Sequence, residues 1–378
     1  MPHPPLHRLF LTAALAASCS WAAAPAKFPG VPGVVVNHSP VTSQLFVPTS
    51  SLAILPDGTY LVAHDYAHFD KKTESSPNVV KVFASADRGR NWQLRSELQG
   101  RWDSLFVHRG ALYLLGPLRM HGPAVIRRST DSGKTWTEPK DARSGLLDST
   151  QPYHSSGVPV VVHGGRVWRA FEQSVGGEKN RLGWLAVMFS APEGADLLDA
   201  RNWTISAPLH HGGMIRQWIE GNAVVAPDGG VVNVIRTNGD QADKAMILHA
   251  SADGKRLSFD PARDFIDFPG GGSKFTIRFD QKSGRYWSLV NKQTNPVAKR
   301  NVLVLTSSTD LRTWTVVKTV LTHPDAEKIG FHYVDWLVDG EDLIFTSRTA
   351  YPDGMDGPRN HHDNNFITFH RLENFRRL

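Results

Sequence analysis

Cysteine is nearly absent: the 378-residue chain carries one, Cys19. A lone thiol excludes a disulfide framework and any zinc site built on several cysteines. No apolar run in the chain approaches the roughly 20 residues that a bilayer-spanning helix needs, so no stable membrane insertion is expected. Helical periodicity is missing outside a short stretch around Ala195 to Ala200, which excludes a helical bundle and an alternating α/β fold. There is no phosphate loop, no dinucleotide fingerprint and no G-x-S-x-G elbow in a strand–turn–helix setting. His361 and His362 are adjacent and lack a partner at metal-binding spacing. Neither a metal nor an organic cofactor is expected. The net charge is +6, but Lys and Arg are interleaved with Asp and Glu instead of gathered into an arm. Such an excess suits small anionic substrates and not a nucleic-acid partner.

The residues MPHPPLHRLFLTAALAASCSWAAAPA run from a basic stretch ending at Arg8, through an apolar run from Leu9 to Ala17, to small residues suited to cleavage near Ala24 or Ala26. That order predicts a signal peptide over 1–26 and a secreted or periplasmic protein. Ala16-Ala17-Ser18-Cys19 resembles a lipoprotein cleavage box, but Leu15 stands one place too early for lipid anchoring at Cys19. A cut behind Cys19 leaves no thiol in the mature chain. No Pro/Ser-rich linker divides the rest of the chain, so 27–378 is read as one domain.

The remainder consists of short β-rich runs broken by Gly, Asp and Asn turns, among them "SLAILPDGTYLVAHD", "LFVHRGALYLLG", "AVVAPDGGVVNVIR", "KFTIRFDQKSGRYWSLVN" and "DWLVDGEDLIFTSR". They read as antiparallel hairpins. One turn, "SADRGRNW" from Ser85 to Trp92, ends on a tryptophan that a solvated turn does not require. "STDSGKTW" from Ser129 to Trp136 repeats its Ser, Asp, Gly and Trp at the same spacing. Decayed copies appear in "SAPEGADLLDARNW" from Ser190, "SADGKRLSF" from Ser251 and "STDLRTW" from Ser308. The five serines stand 44, 61, 61 and 57 residues apart. That spacing suits four-stranded propeller blades of roughly 40 to 60 residues. An all-β fold, a six-bladed β-propeller, is therefore predicted, with "NNFITFHRL" closing the ring against N-terminal strands. In each turn Asp bonds amides, Gly takes positive φ, and Trp folds back onto the blade packing.

The S-x-D-x-G-x-x-W copies resemble the Asp boxes of the sialidase superfamily, whose members are six-bladed propellers. Three further segments resemble that family in its order. "EGNAVVAPDGGVVNVIR" matches the hairpin between a catalytic glutamate and a substrate-binding arginine, placing Glu220 and Arg236. "KRNVLVLTSSTDLRTW" places a carboxylate-binding arginine at Arg300, and "HYVDWLVDGEDLIF" a nucleophilic tyrosine at Tyr333. In "LFVPTSSLAILPDG" the resemblance departs, because Phe46 stands where the family has its first arginine. The acid/base aspartate is left open among Asp65, Asp70 and Glu74. The resemblance implies that Tyr333, activated by Glu220, attacks an anomeric carbon whose carboxylate would repel an acidic nucleophile, while arginines hold that carboxylate.

A second set of polar residues lies outside that pattern: His64, Tyr153, His154, Glu172, Lys274, Arg348 and "RNHHDNN" over 359–365. Several end predicted strands, so His64, His154, Lys274 and Arg348 join Arg236 and Arg300 as candidate substrate-binding residues, and Asp65 joins Tyr333 and Glu220 as a candidate catalytic one. The leading expectation is a monomeric, exo-acting glycoside hydrolase that removes a terminal, sialic-acid-like sugar from glycans. Two rivals stay open. One is a polysaccharide lyase on uronate-containing glycans, with His64, His154 and Tyr333 as acid/base groups. The other is a non-catalytic glycan-binding propeller.

Overall fold

The structure, a computed structural model, describes residue 1 and residues 28–70, 77–174, 184–237, 243–292 and 299–378. The expected signal peptide, Cys19 and Glu74 lie outside the described residues. Residues 31–378 form one compact unit.

The local turn chemistry produces the predicted hairpins. "SLAILPDGTYLVAHD" becomes the strands Ser50–Ile54 and Tyr60–Asp65, in register from Ser50 opposite His64 to Ile54 opposite Tyr60. Its turn uses Gly58 at φ 82°, and the Thr59 amide donates to Asp57 Oδ1 at 2.9 Å. The stretch around Ala195 to Ala200 does not become an α-helix. Asp199 accepts the Arg201 amide and caps only a single 3-10 turn, Ala200–Asn202.

The strands assemble into an all-β propeller. Four sheets stand apart as blades among the described residues. Three have four strands: Ser50–Ile54, Tyr60–Asp65, Val79–Ser85 and Gln93–Gln99; Thr276–Asp280, Arg285–Asn291, Val302–Ser308 and Thr315–Thr322; and Gly330–Asp339, Asp342–Ala350, Phe366–Leu372 and Val34–His38. The fourth has five, Trp218–Val225, Val231–Thr237, Lys244–Ala250, Leu257–Ser258 and Phe265–Asp267. The expected set of six separate sheets is not what forms. An eight-stranded sheet runs from Ser104–His108 to Thr204–Ile205, because the long strand Leu146–His154 pairs with Gly122–Ser129 on one side and Arg166–Ser174 on the other. The ring closes as the sequence suggests, with Val34 opposite Phe369.

Apolar cores fill the spaces between neighbouring sheets. Leu52, Tyr60, Val62 and Phe83 pack against Ile344, Ile367 and Phe369, and Trp287 and Leu289 against Trp336 and Phe345. Each such side chain contributes roughly 1.5–3 kcal/mol on burial. Nearer the axis, polar groups stitch sheet to sheet. Asp335 Oδ2 accepts the Leu52 amide (2.9 Å) and Ser51 Oγ that of Leu105 (2.9 Å), while inside the eight-stranded sheet Ser104 Oγ accepts the Val158 amide (3.1 Å) and ties its two halves. Glu172 Oε1 accepts the Gly221 amide (3.0 Å), Asn222 Oδ1 that of Ile277 (3.0 Å), and the Trp336 indole donates to Thr276 O (2.9 Å).

The repeated turns occupy equivalent places, between the third and fourth strands of their blades. The Gly89 and Gly133 amides each donate to the motif serine at 2.8 Å, and each serine donates to the motif aspartate at 2.8 Å. In the shortened copy Leu311 takes the left-handed position at φ 65°. Each tryptophan leans on the preceding sheet: Trp92 on Phe369, Trp136 through its indole N–H on Ser96, and Trp314 on Phe268. The tryptophans therefore join blades as well as hold hairpins.

Candidate active site

A cavity of about 320 Å³ is lined by Phe46, His68, Arg101, Trp102, His154, Glu220, Tyr333, Arg348 and His362, with Pro48, Ala67, Met120 and Ile219. Three of its bulky residues sit in a backbone region that side chains disfavour: Trp102 at φ 52°, Glu220 at 59° and Tyr333 at 52°. Left-handed φ costs such residues roughly 1–2 kcal/mol each, so surrounding structure must hold them there. Register breaks between Ile219 and Asn222 and between His332 and Asp335 mark the bulges that turn Glu220 and Tyr333 into the cavity. Gly221 is required by close approach, since a Cβ there would lie 2.0 Å from Asn233 Oδ1.

Glu220, Arg236 and Tyr333 converge although they come from three strands. Arg236 Nη1 donates to Glu220 Oε2 in an ion pair, and the Tyr333 phenol interacts electrostatically with both. Burial opposes ionisation of Glu220, but Arg236, His154, the Tyr333 phenol and Lys274 together outweigh it and hold the carboxyl below its ordinary range. Two more cations flank the phenol ring, with guanidinium carbons 5.5 Å (Arg300) and 4.5 Å (Arg348) from its centre. Burial lowers both arginines, Arg348 to about 10. Arg348 is anchored by Asn364 Oδ1 (2.6 Å), Pro48 O (2.7 Å) and His362 O, and Arg300 by His332 Nδ1 (3.1 Å).

His154 stands on the cavity wall, its Nδ1 2.9 Å from Glu172 Oε2 and its ring 4.5 Å from that of Trp102 and 4.6 Å from that of Trp184. Three other candidates lie behind the wall. His64 is 2% exposed, packs between the Tyr66 and Phe83 rings, and is held near a pKa of about 4 by burial. Asp65 accepts from the Thr49 hydroxyl (2.7 Å) and faces Arg101 Nε at 3.8 Å; burial raises its carboxyl despite that arginine. Lys274 donates to Thr276 Oγ1 (2.7 Å) and Val334 O (2.6 Å) and is lowered to about 8 by burial. Tyr153 donates to Asp148 (2.6 Å) within the sheet core. Arg101 and Trp102 line the cavity without having been singled out by sequence. Their signal was a bulky residue two places before the polar residue of an inner strand, the pattern shared by Trp102 with Ser104, Glu220 with Asn222, and Tyr333 with Asp335.

Fold and cavity together define a β-propeller with a cationic, tyrosine-centred polar site. The BNR repeat-like domain matches residues 116–353, more than half of the chain, and the protein belongs to that family. No curated protein matches it. Solved structures share the fold at low identity. A Dyadobacter fermentans protein of unknown function is 16% identical, with a TM-score of 0.59 over 91% of this chain and 98% of its own. The Hadza microbial sialidase Hz136 is 13% identical, with a TM-score of 0.60 over 90% of this chain and 68% of its own. A Penicillium chrysogenum α-L-arabinanase, complexed with arabinobiose, is 14% identical, with a TM-score of 0.54 over 91% of this chain and 98% of its own.

Proposed function

We propose that this protein is an exo-acting glycoside hydrolase that removes a terminal carboxylate-bearing sugar, of the sialic-acid type, from glycans. The observation that carries the reading is the Tyr333 phenol, set beside the Glu220–Arg236 ion pair and flanked by Arg300 and Arg348 around one cavity. Tyr333 Oη attacks the anomeric carbon as Glu220 takes its proton. The arginines hold the sugar carboxylate, which would repel an acidic nucleophile. Two successive displacements then leave the anomeric configuration retained. Asp65, set behind Arg101, positions that arginine. The sialidase and the arabinanase that share the fold support a carbohydrate substrate. The eight-stranded sheet is two blades fused along Leu146–His154, making a ring of six; five links between sheets near the axis, and the Ser104–Val158 link between the two halves of the eight-stranded sheet, support this count. Residues 1–26 are a signal peptide and 27–378 the exported domain, active as a monomer; N-terminal sequencing of exported material checks the cleavage.

The deciding experiment is turnover of sialosides and terminal uronides by the wild type, Tyr333→Phe and Glu220→Gln, reading both new reducing ends and ultraviolet absorbance. Each variant is expected to lose about 10²-fold or more in kcat while remaining folded. New absorbance without net hydrolysis identifies a lyase. Full activity in Tyr333→Phe overturns nucleophilic catalysis at this residue.

A further inference from the structure

A tyrosine nucleophile with a glutamate base accounts for attack on the sugar but not for the departing oxygen, which needs a proton. Asp65 is 1% exposed and committed to Thr49 and Arg101, so it does not face the cavity. His154 does. Its Nδ1 is taken by Glu172 Oε2, while Nε2 has no hydrogen-bond partner among the described residues and the ring lines the same cavity as Tyr333. The Trp102 and Trp184 rings meet the imidazole edge-on at 4.5 and 4.6 Å and fix its plane. The second Glu172 oxygen accepts the Gly221 amide at 3.0 Å. One buried carboxylate therefore orients His154 and fixes the backbone beside Glu220.

Resting on the hydrolase reading, we infer that His154 is the proton donor to the leaving oxygen, with Glu172 as its positioning residue. In the first step a bond forms between Tyr333 Oη and the anomeric carbon, and the phenol proton passes to Glu220. The glycosidic C–O bond breaks, and its oxygen takes the proton of doubly protonated His154 Nε2, leaving a neutral imidazole. In the second step neutral His154 takes a proton from water as the water oxygen attacks the anomeric carbon. The bond to Tyr333 breaks, and Glu220 returns a proton to the phenolate. Glu172 takes up Nδ1 and leaves Nε2 as the ring nitrogen facing the transfer.

The test uses the intact protein and two aglycones on each of two sugars, a sialoside and a glucuronide: an alkyl alcohol, which must be protonated to leave, and 4-nitrophenol, which need not be. His154→Asn keeps a donor for Glu172 at the Nδ1 position and removes Nε2. It is expected to slow alkyl-glycoside cleavage by about 10²-fold or more and 4-nitrophenyl cleavage by less than tenfold, with azide restoring turnover of the activated substrate. Equal slowing of both aglycones overturns the assignment. Glu172→Gln keeps the acceptor for Gly221 and removes the charge, and is expected to shift the basic limb of the kcat profile toward lower pH. Glu172, Glu220 and His121 act directly on His154, and Arg101, His68, Tyr333, Arg348 and His362 line the same cavity. If the wild type cleaves neither sugar with either aglycone, the hydrolase reading fails. Imidazole ¹⁵N titration then still decides the local claim: a His154 Nε2 that takes up a proton between pH 5 and 8, and does so at lower pH in Glu172→Gln, supports it, and one that stays silent overturns it.

Discussion

Arg348 lies with its guanidinium 5.1 Å from the centre of the Phe46 ring, so that a cation covers the position where the sialidase resemblance calls for an arginine. The two residues come from opposite ends of the chain. They meet because the ring closes by pairing Val34–His38 with Phe366–Leu372, which sets the last blade beside the first. Phe46 presents an aromatic face to the cation, and Tyr333 presents a second on the cavity side.

Arg348→Met is expected to weaken binding of a carboxylate-bearing sugar by at least tenfold, read by calorimetric titration. It also strips a donor from Pro48 O, Asn364 Oδ1 and His362 O. Each buried acceptor left unsatisfied costs about 1–3 kcal/mol, so a lower thermal midpoint is expected as well. Unchanged affinity with a lowered midpoint would leave Arg348 a purely structural role.

Gly221→Ala separates site geometry from global stability. The new Cβ has to displace the Asn233 side chain, whose nearest atom is 2.0 Å away, and the adjustment falls on the strained bulge at Glu220. A loss of turnover larger than the accompanying change in stability is expected, measured by kcat and urea midpoint on the same preparation.

Asp335 ties the last blade to the first. Its Oδ2 accepts from the Leu52 amide and the Ser51 hydroxyl, and its Oδ1 accepts from Arg278 at 2.9 Å. Asp335→Ala leaves the Leu52 amide and the Ser51 hydroxyl without their acceptor at a position 1% exposed, and each buried donor left unsatisfied costs about 1–3 kcal/mol. Equilibrium denaturation should show the loss, with Asp335→Asn retaining part of the stability.

Stability should fall as the solution is acidified below pH 6.5. Burial lowers His64 from 6.5 to about 4 and His370 to about 3, and His332 falls well below 6.5 through burial and the neighbouring Arg348 and Arg300. Below pH 6.5 the unfolded chain binds protons at these histidines and the folded chain does not. Their contribution is therefore complete above 6.5 and declines by roughly 1.4 kcal/mol per pH unit for each, until the folded pKa is reached. A lower denaturation midpoint at pH 5 than at pH 7.5 is expected, with a shallower slope in His64→Phe. A midpoint independent of pH over that range would show that these imidazoles are not held neutral.

The sequence by itself determined the hairpins and the repeated turns, because those depend on period-two alternation and on residues within a few places of one another. It also singled out Glu220, Arg236, Arg300 and Tyr333 through segments whose order the chain keeps. What it did not determine was which side of a strand faces the cavity. His64 and Asp65 end the same predicted strand, yet the first is packed among rings and the second sits behind Arg101. Position along a strand is readable locally, but facing is set by register and by the neighbouring blade. The joining of two sheets along Leu146–His154 was hidden for the same reason, since the pairing of Tyr153 with both Gly122 and Gln173 leaves no local mark. Strand register within one sheet decided that Glu172 orients His154, and only the closed ring decided that Arg348 covers Phe46, because that contact joins segments from opposite ends of the chain.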